Sequence, residues 1–186
     1  MIIIKKNYYL YIENTKDINL NNIKKNKKIS IIYRNYKDAE NTENLYRFRK
    51  KCKLKRFKFY ISNQESLMRN CRADGLYLSS FNKKIYLNKE LKLIGSAHSF
   101  KEINEKIKQG CKTIFLSRLF KTSYKNKKDY LDIVKFNLII KKYNISIIPL
   151  GGIRSSNLNK LNMINSNGFA LLSEAKKKPA ITSRLF

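Results

Sequence analysis

The chain has 186 residues, of which 42% are hydrophobic and 12% are aromatic. This is enough apolar surface to fold one domain spanning 1–186, and it excludes a chain that is disordered throughout. The formal net charge is +28, but the lysines are spread along the whole sequence beside abundant Asn and Ile, which indicates AT-rich coding more than a dedicated polyanion-binding surface.

Short apolar and aromatic runs alternate with helical patterns along the chain. Runs typical of strands lie at 8–12, 29–33, 57–61, 76–78, 93–95, 114–116, 145–150 and 169–172. Helical spacing occurs at 38–53, 63–71, 99–109, 130–143 and 155–164. The basic, Asn-rich piece between the first two strands predicts a weak helix or a loop. In the helix at 130–143, the expected apolar face consists of Leu131, Val134, Leu138 and Ile139.

The clearest helix start lies at Ser99, with Glu102 three residues later, which is the pattern of a capping box; Gly110 then ends the helix. One pattern occurs three times: a helical stretch is followed by a small-polar turn and then by a short apolar run that stops at serine. The turns and runs lie at 72–79, 110–117 and 165–173. Eight strands joined in this way predict a compact (β/α)8 TIM barrel, with shortened outer helices because such barrels typically have about 250 residues. An open doubly wound sheet is the alternative, but no glycine-rich phosphate fingerprint follows the first strand.

The cysteines Cys52, Cys71 and Cys111 form no close pair, which favours a reducing, cytoplasmic setting. The apolar run within 1–11 is interrupted by Lys5 and is too short to cross a bilayer, so neither a membrane segment nor a signal peptide is expected.

Barrels of this kind carry their reactive groups in the loops that follow the carboxyl ends of the strands. The residues at those positions are Arg34, Asn63, Ser79, Ser96, the loop 118–125, Gly151, Gly152 and Ser173. Asn63 has an alternative role as the cap of the following helix. His98, the only histidine, is expected to form a hydrogen bond within the barrel rim.

Four segments resemble the thiamine phosphate synthase and TenI family in order and context. They are IGSAHS at 94–99, LFKTSYK at 119–125, PLGGI at 149–153 and NGFALLS at 167–173. The synthases of that family join hydroxymethylpyrimidine pyrophosphate to thiazole phosphate: pyrophosphate leaves with the help of Mg²⁺, and the thiazole nitrogen captures the pyrimidine cation. The resemblance therefore implies phosphorylated pyrimidine and thiazole partners.

The resemblance also implies roles for individual residues. Ser96, Lys125 and Arg34 would be catalytic, with Ser96 beside the reacting pyrimidine and Lys125 on the pyrophosphate. Asn63, Thr122, Gly151, Gly152 and Ser173 would bind substrate: Thr122 would contact the pyrophosphate, and Gly152 and Ser173 would hold the thiazole phosphate.

The sequence departs from the family where Mg²⁺ would bind. Gln64 and Asn82 stand in the positions of the usual aspartates, and two neutral amides supply much less charge than two carboxylates. Mg²⁺ is therefore a doubtful cofactor, and no metal ligand is assigned. The related thiazole tautomerases use a histidine that aligns with Arg118 here.

Three functional hypotheses follow. The first is a thiamine phosphate synthase-like protein, or a degenerate member that binds the same ligands. The second is a non-catalytic or regulatory TenI-like barrel that binds a phosphorylated ligand. The third is a basic polyanion-binding protein, although nucleic acid is not an expected partner; homo-oligomerisation is left open.

Overall fold

The strands form a closed barrel in this computed structural model, which describes residues 5–35, 40–122 and 129–171. Eight parallel strands follow one another around the barrel in sequence order, and β1 pairs with β8 to close it. They are β1 (Asn7–Ile12), β2 (Ile29–Tyr33), β3 (Lys58–Ser62), β4 (Gly75–Leu78), β5 (Leu93–Ala97), β6 (Thr113–Ser117), β7 (Ser146–Leu150) and β8 (Gly168–Leu171). The predicted barrel is confirmed, and no predicted strand is missing.

The helices outside the barrel are short, as predicted. They are α1 (Thr42–Leu54), α2 (Glu65–Asn70), α3 (Phe100–Lys108) and α4 (Asp132–Ile140), with 3₁₀ segments at Thr15–Asp17, Leu20–Asn22 and Ser155–Met163. The predicted helix at 155–164 is present as the 3₁₀ segment Ser155–Met163. Residues 79–92, between β4 and β5, contain no helix. None of the helices in the described residues is long and apolar enough to cross a membrane.

Aromatic rings fill the inside of the barrel. Tyr9, Tyr11, Tyr77 and Phe115 belong to one buried cluster in the barrel interior. Tyr9 meets Phe115 edge-on at 4.8 Å between ring centroids, and Tyr11 meets Tyr77 in the same way at 5.4 Å, which is a favourable geometry for aromatic pairs. The interior is thus a packed core, and polar chemistry is confined to the ends of the barrel.

A second core lies between the strands and the outer helices. In α1, the residues Leu45, Phe48 and Cys52 are buried, as their helical spacing predicts. In α4, the expected apolar face is wrong for Val134 and Leu138, which are 66% and 57% exposed. Phe136 is the buried side chain of that helix. Because α4 is apolar nearly all round, its spacing alone does not determine which face packs inward.

The predicted start of α3 is confirmed. Ser99 accepts a hydrogen bond from the Glu102 main-chain N–H at 3.2 Å. The Glu102 carboxylate accepts from the His98 N–H at 2.8 Å, one residue before the cap. Gly110 follows the helix in a left-handed conformation with φ of +86°, which favours glycine.

Candidate active site at the carboxyl rim

Serine hydroxyls form the innermost polar layer at the carboxyl ends of the strands. Ser62 and Ser96 are paired in register with the inward-facing Tyr77 and Phe115, and residues paired in register share a face of the sheet. Ser79 follows β4 with the same alternation, and all three serines are buried. The Ser62 Oγ has no hydrogen-bond partner among the described residues. The alternation of β3 could have indicated Ser62 from the sequence, but it was not among the predicted site residues.

An amide network joins the ends of β3 and β4. The Asn63 side chain donates through Nδ2 to the Ser79 Oγ at 2.8 Å, and its Oδ1 accepts from the Ser79 N–H at 3.0 Å. The same Oδ1 accepts from the Asn82 Nδ2 at 3.0 Å. These N–H donors fill both lone pairs of the amide oxygen. The predicted substrate-binding Asn63 is therefore a fixed part of the rim, with its orientation set by Ser79 and Asn82 of the segment after β4.

The backbone explains why an asparagine occupies position 63. Asn63 has φ of +57°, a left-handed conformation that Asn tolerates better than most residues. It does not cap α2, so that alternative is wrong: Gln64 precedes the first residue of the helix and makes no side-chain cap bond. The Gln64 side chain is exposed.

Two arginines follow strands at this rim. Arg34 follows β2, and its N–H donates to the Ile12 carbonyl at 2.8 Å. Arg118 follows β6 and donates through Nη1 to the Thr122 Oγ1 at 2.9 Å. Both arginines are partly buried. The rim thus presents permanent positive charge suited to phosphate groups, and Thr122 is held by one of these cations.

The glycine pair after β7 lies against the loop after β6. Gly151 and Gly152 have φ of +91° and +72°. A Cβ on Gly152 would lie 2.3 Å from the Phe120 carbonyl oxygen, and a Cβ on Gly151 would lie 3.1 Å from the Arg118 Cγ. Close packing of two rim loops therefore requires glycine here, and it brings the pair beside Arg118.

His98 lies at the same rim. Its Nδ1 is 3.2 Å from the Ser117 Oγ, which confirms the expected hydrogen bond. The side chain is exposed, as is the side chain of Lys121 in the next loop.

The structure brings several predicted site residues to one end of the barrel. They lie at the carboxyl ends of strands or in the loops that follow them: Arg34, Asn63, Ser96, Thr122, Gly151 and Gly152. Lys125 and Ser173 lie outside the described residues. The catalytic or binding role of each of these residues stays a prediction.

The described rim does not fit a magnesium ion. The Asn63 amide oxygen already accepts from two N–H groups, and the Asn82 Oδ1 accepts from the Lys84 N–H at 2.9 Å. Within 5–35, 40–122 and 129–171, no group of three or more His, Cys, Asp or Glu side chains could hold a metal. Since Mg²⁺ prefers anionic oxygen ligands, these neutral amides form a poor magnesium site.

Comparison with known proteins gives a consistent result. The model of the thiamine monophosphate synthase family matches residues 14–175. A thiamine-phosphate synthase of Prochlorococcus marinus subsp. pastoris is 28% identical over 153 residues, which is 78% of this chain but 44% of that protein. A second one, from another strain of Prochlorococcus marinus, is 29% identical over 127 residues, covering 66% of this chain and 37% of the relative. The chain thus spans less than half the length of these relatives.

Solved structures show the same fold. A thiamine phosphate pyrophosphorylase from Pyrococcus furiosus matches with a TM-score of 0.71 at 16% identity, covering 97% of both chains. A thiamine phosphate pyrophosphorylase from Bacteroides thetaiotaomicron matches with a TM-score of 0.57 at 15% identity, covering 91% of this chain and 83% of that one.

Proposed function

Because this chain belongs to the thiamine monophosphate synthase family, we propose that it binds hydroxymethylpyrimidine pyrophosphate and thiazole phosphate at the carboxyl rim and joins them. The observation that carries the proposal is the fixed Asn63–Ser79–Asn82 network beside buried Ser96 in a family barrel. Rigid amide and hydroxyl groups on strand ends hold a substrate in a defined orientation.

The reaction exchanges one bond for another. The bond between the pyrimidine methylene carbon and the pyrophosphate oxygen breaks, and its electron pair leaves with pyrophosphate. The lone pair of the thiazole nitrogen forms the new carbon–nitrogen bond, which gives thiamine phosphate. Negative charge therefore develops on the leaving pyrophosphate, and this is the charge that the protein must stabilise.

Arginine and lysine side chains supply that stabilisation in our proposal. Arg34 and Arg118 are permanently charged and offer planar, multiple donors to phosphate oxygens. Arg118 also holds Thr122 through a 2.9 Å hydrogen bond, which is consistent with both residues contacting the pyrophosphate. Lys121 and Lys125 add charge from the same loop. Ser96 is proposed to contact the pyrimidine.

The thiazole phosphate is proposed to lie against Gly151 and Gly152. Because the side-chain positions of both glycines are filled by the loop after β6, the proposed contact is made by their main-chain N–H groups, in the loop position where such barrels often hold a phosphate. Ser173, which follows β8, is proposed to donate its hydroxyl to the same phosphate.

The decisive test is formation of thiamine phosphate from both substrates by the purified protein. We expect product with Mg²⁺ and also after the metal is removed by EDTA. Arg118→Ala should lower turnover by about 100-fold, as for loss of a donor that stabilises developing charge, and Lys125→Ala should lower it strongly. The matched control is Lys108→Ala, an exposed lysine on α3. No product, under conditions where an authentic synthase works, would reject the coupling reaction.

A second candidate is a barrel that binds the phosphorylated ligand without catalysis. The filled lone pairs of the Asn63 oxygen and the lack of a carboxylate cluster in the described rim favour it. It predicts saturable binding of thiazole phosphate in calorimetry with no product from the two substrates. Absence of binding would remove this candidate.

A further inference from the structure

One lysine of α3 is completely buried. Lys106 has 0% exposure, and its Nζ donates to the Asn82 carbonyl at 2.7 Å and to the Gln109 Oε1 at 2.8 Å. No carboxylate forms a salt bridge with it in the part of the chain that the structure describes, although Glu102 and Glu105 belong to the same helix. Burial lowers the pKa of the Lys106 ammonium from its ordinary value. Such a lysine is costly, since buried charges are normally paired.

The barrel makes room for this side chain at Gly95. A Cβ on Gly95 would lie 2.9 Å from the Lys106 Cδ and 3.2 Å from its Cγ. The glycine in β5 therefore lets the lysine stem pass between α3 and the strand. Any larger residue at this position would displace the stem.

Gln109 extends the same contact by one helical turn. Its Nε2 donates to the Asn82 carbonyl at 3.1 Å and to the Lys84 carbonyl at 2.8 Å. We call Lys106 and Gln109 the α3 clasp. Together they bind the main chain of the helix-free segment after β4 at two carbonyls.

The segment held by the clasp reaches the proposed site. Asn82 donates through its side chain to the Asn63 Oδ1 at 3.0 Å, while its carbonyl accepts hydrogen bonds from both residues of the clasp. The Asn82 N–H donates to the Ser79 carbonyl at 3.0 Å. The contacts of Asn82 therefore connect α3 to the amide network at the rim.

We propose that Lys106 is a positioning residue: its buried ammonium fixes the Asn82 main chain, so that the Asn82 side chain keeps Asn63 oriented at the rim. The inference rests on the proposed function for the use of that site, but the fixation itself is independent of catalysis. Burying an ammonium group without a carboxylate partner costs free energy, so a gain in stability does not explain this lysine. Its value here is the directional hydrogen bond to Asn82.

The test compares Lys106→Met with Lys108→Met, the same substitution at an exposed site of the same helix. We expect the Asn82 and Lys84 amides of Lys106→Met to exchange hydrogen about tenfold faster than in the unmodified protein, as for loss of a hydrogen bond from a charged donor. The thermal midpoint should change little, because relief of the buried charge offsets the loss of two hydrogen bonds. Lys108→Met should change neither quantity. Unchanged exchange at Asn82 and Lys84, or faster exchange throughout the barrel, would overturn the proposal.

Ligand binding supplies the second readout, with inorganic pyrophosphate as the probe. Lys106→Met should weaken its binding several-fold, and the effect should vanish in an Asn82→Ala background, because Lys106 acts through Asn82. A persistent effect in that background would contradict the positioning role. If pyrophosphate binds none of the proteins, the proposed function fails, while the exchange measurement still tests the role of the clasp.

Gln109→Met is the second variant, for use if Lys106→Met does not fold. Faster hydrogen exchange at the Lys84 amide in Gln109→Met supports the clasp, and unchanged exchange overturns it.

Discussion

Asn82 donates a hydrogen bond through Nδ2 to the Asn63 Oδ1 at 3.0 Å, joining the end of β3 to the segment after β4. Two neutral amide side chains are thus hydrogen-bonded to each other at the rim. They lie close to the positions where the family resemblance places carboxylates that assist a metal. An amide pair of this kind orients a neighbouring ligand but contributes no net negative charge. The consequence is a rim whose charge is set by its cations.

The first prediction concerns metal binding. Because Gln64 and Asn82 are neutral, we expect no saturable binding of Mn²⁺, used as a paramagnetic stand-in for Mg²⁺, to the unmodified protein at millimolar concentration in electron paramagnetic resonance. The variant carrying Gln64→Asp and Asn82→Asp should bind Mn²⁺ at least about tenfold more tightly, since carboxylates are the ligands that such ions prefer. The control carries Gln64→Ala and Asn82→Ala. Equal affinity of the unmodified and the aspartate proteins would contradict this prediction.

The sequence predicts the barrel well because strands and most outer helices leave local patterns. Residues 8–12 form a continuous apolar run and residues 29–33 are apolar except for Ser30, as expected for strands buried on both faces. The pattern at Ser99 and Glu102 locates a helix start. The packing of α4 was not predictable, because Val134 and Phe136 are both apolar and only the tertiary fit selects Phe136.

The candidate site is only partly visible in the sequence. The positions of Arg34, Asn63 and Gly152 after strands follow from the barrel topology. The link between Asn63 and Asn82 depends on the path of a helix-free segment, and the burial of Lys106 depends on the gap at Gly95. Neither feature leaves a local pattern in the sequence. For Lys106 in particular, the sequence favours exposure, since a lysine on a helix is usually solvated.

The second prediction compares two glycines with similar backbone but different surroundings. Gly152→Ala should lower the free energy of unfolding by about 3 kcal/mol or more, because it adds a clash with the Phe120 carbonyl to the strain of a left-handed alanine. Gly110→Ala should cost only about 1 kcal/mol, because its nearest contact is the Leu93 Cδ1 at 3.9 Å. Urea unfolding measures both. Equal losses in the free energy of unfolding would contradict this prediction, because they would show that the loop after β6 moves to accommodate the added methyl group.

The third prediction concerns the opposite end of the barrel. Asp74 accepts from the Arg49 Nη2 at 2.8 Å and from the Phe59 N–H near the start of β3 at 2.7 Å. Asp74→Ala should therefore lower the free energy of unfolding by about 2 kcal/mol, because it leaves a partly buried arginine and a strand N–H without their acceptor. Binding of inorganic pyrophosphate should not change. Glu43→Ala is the control: its pair with Arg47 is exposed on both sides, and its loss should cost about 0.5 kcal/mol or less.

The fourth prediction concerns the buried thiols and pH. Burial raises the pKa of Cys52 and of Cys111 from 9.0 to about 12, and Cys71 is buried as well. Because the thiolate is the reactive form, none of the three should react rapidly with Ellman's reagent at pH 8 in the folded protein, and all should react in denaturant. A fast-reacting thiol in the folded protein would show that a cysteine is reached without unfolding.

The raised pKa of Cys52 also determines whether stability rises or falls with pH. Above pH 9 the Cys52 thiol ionises in the unfolded chain but stays neutral in the folded protein until about pH 12, so ionisation stabilises the unfolded state. The stabilisation that Cys52 provides is therefore complete below pH 9 and is lost progressively as pH rises from 9 toward 12. Relative to Cys52→Ala, the unmodified protein should lose stability in urea unfolding between pH 8 and pH 10.5. The two proteins share every other titrating group, so a difference that stays constant over this interval would mean that the Cys52 thiol ionises equally in both states.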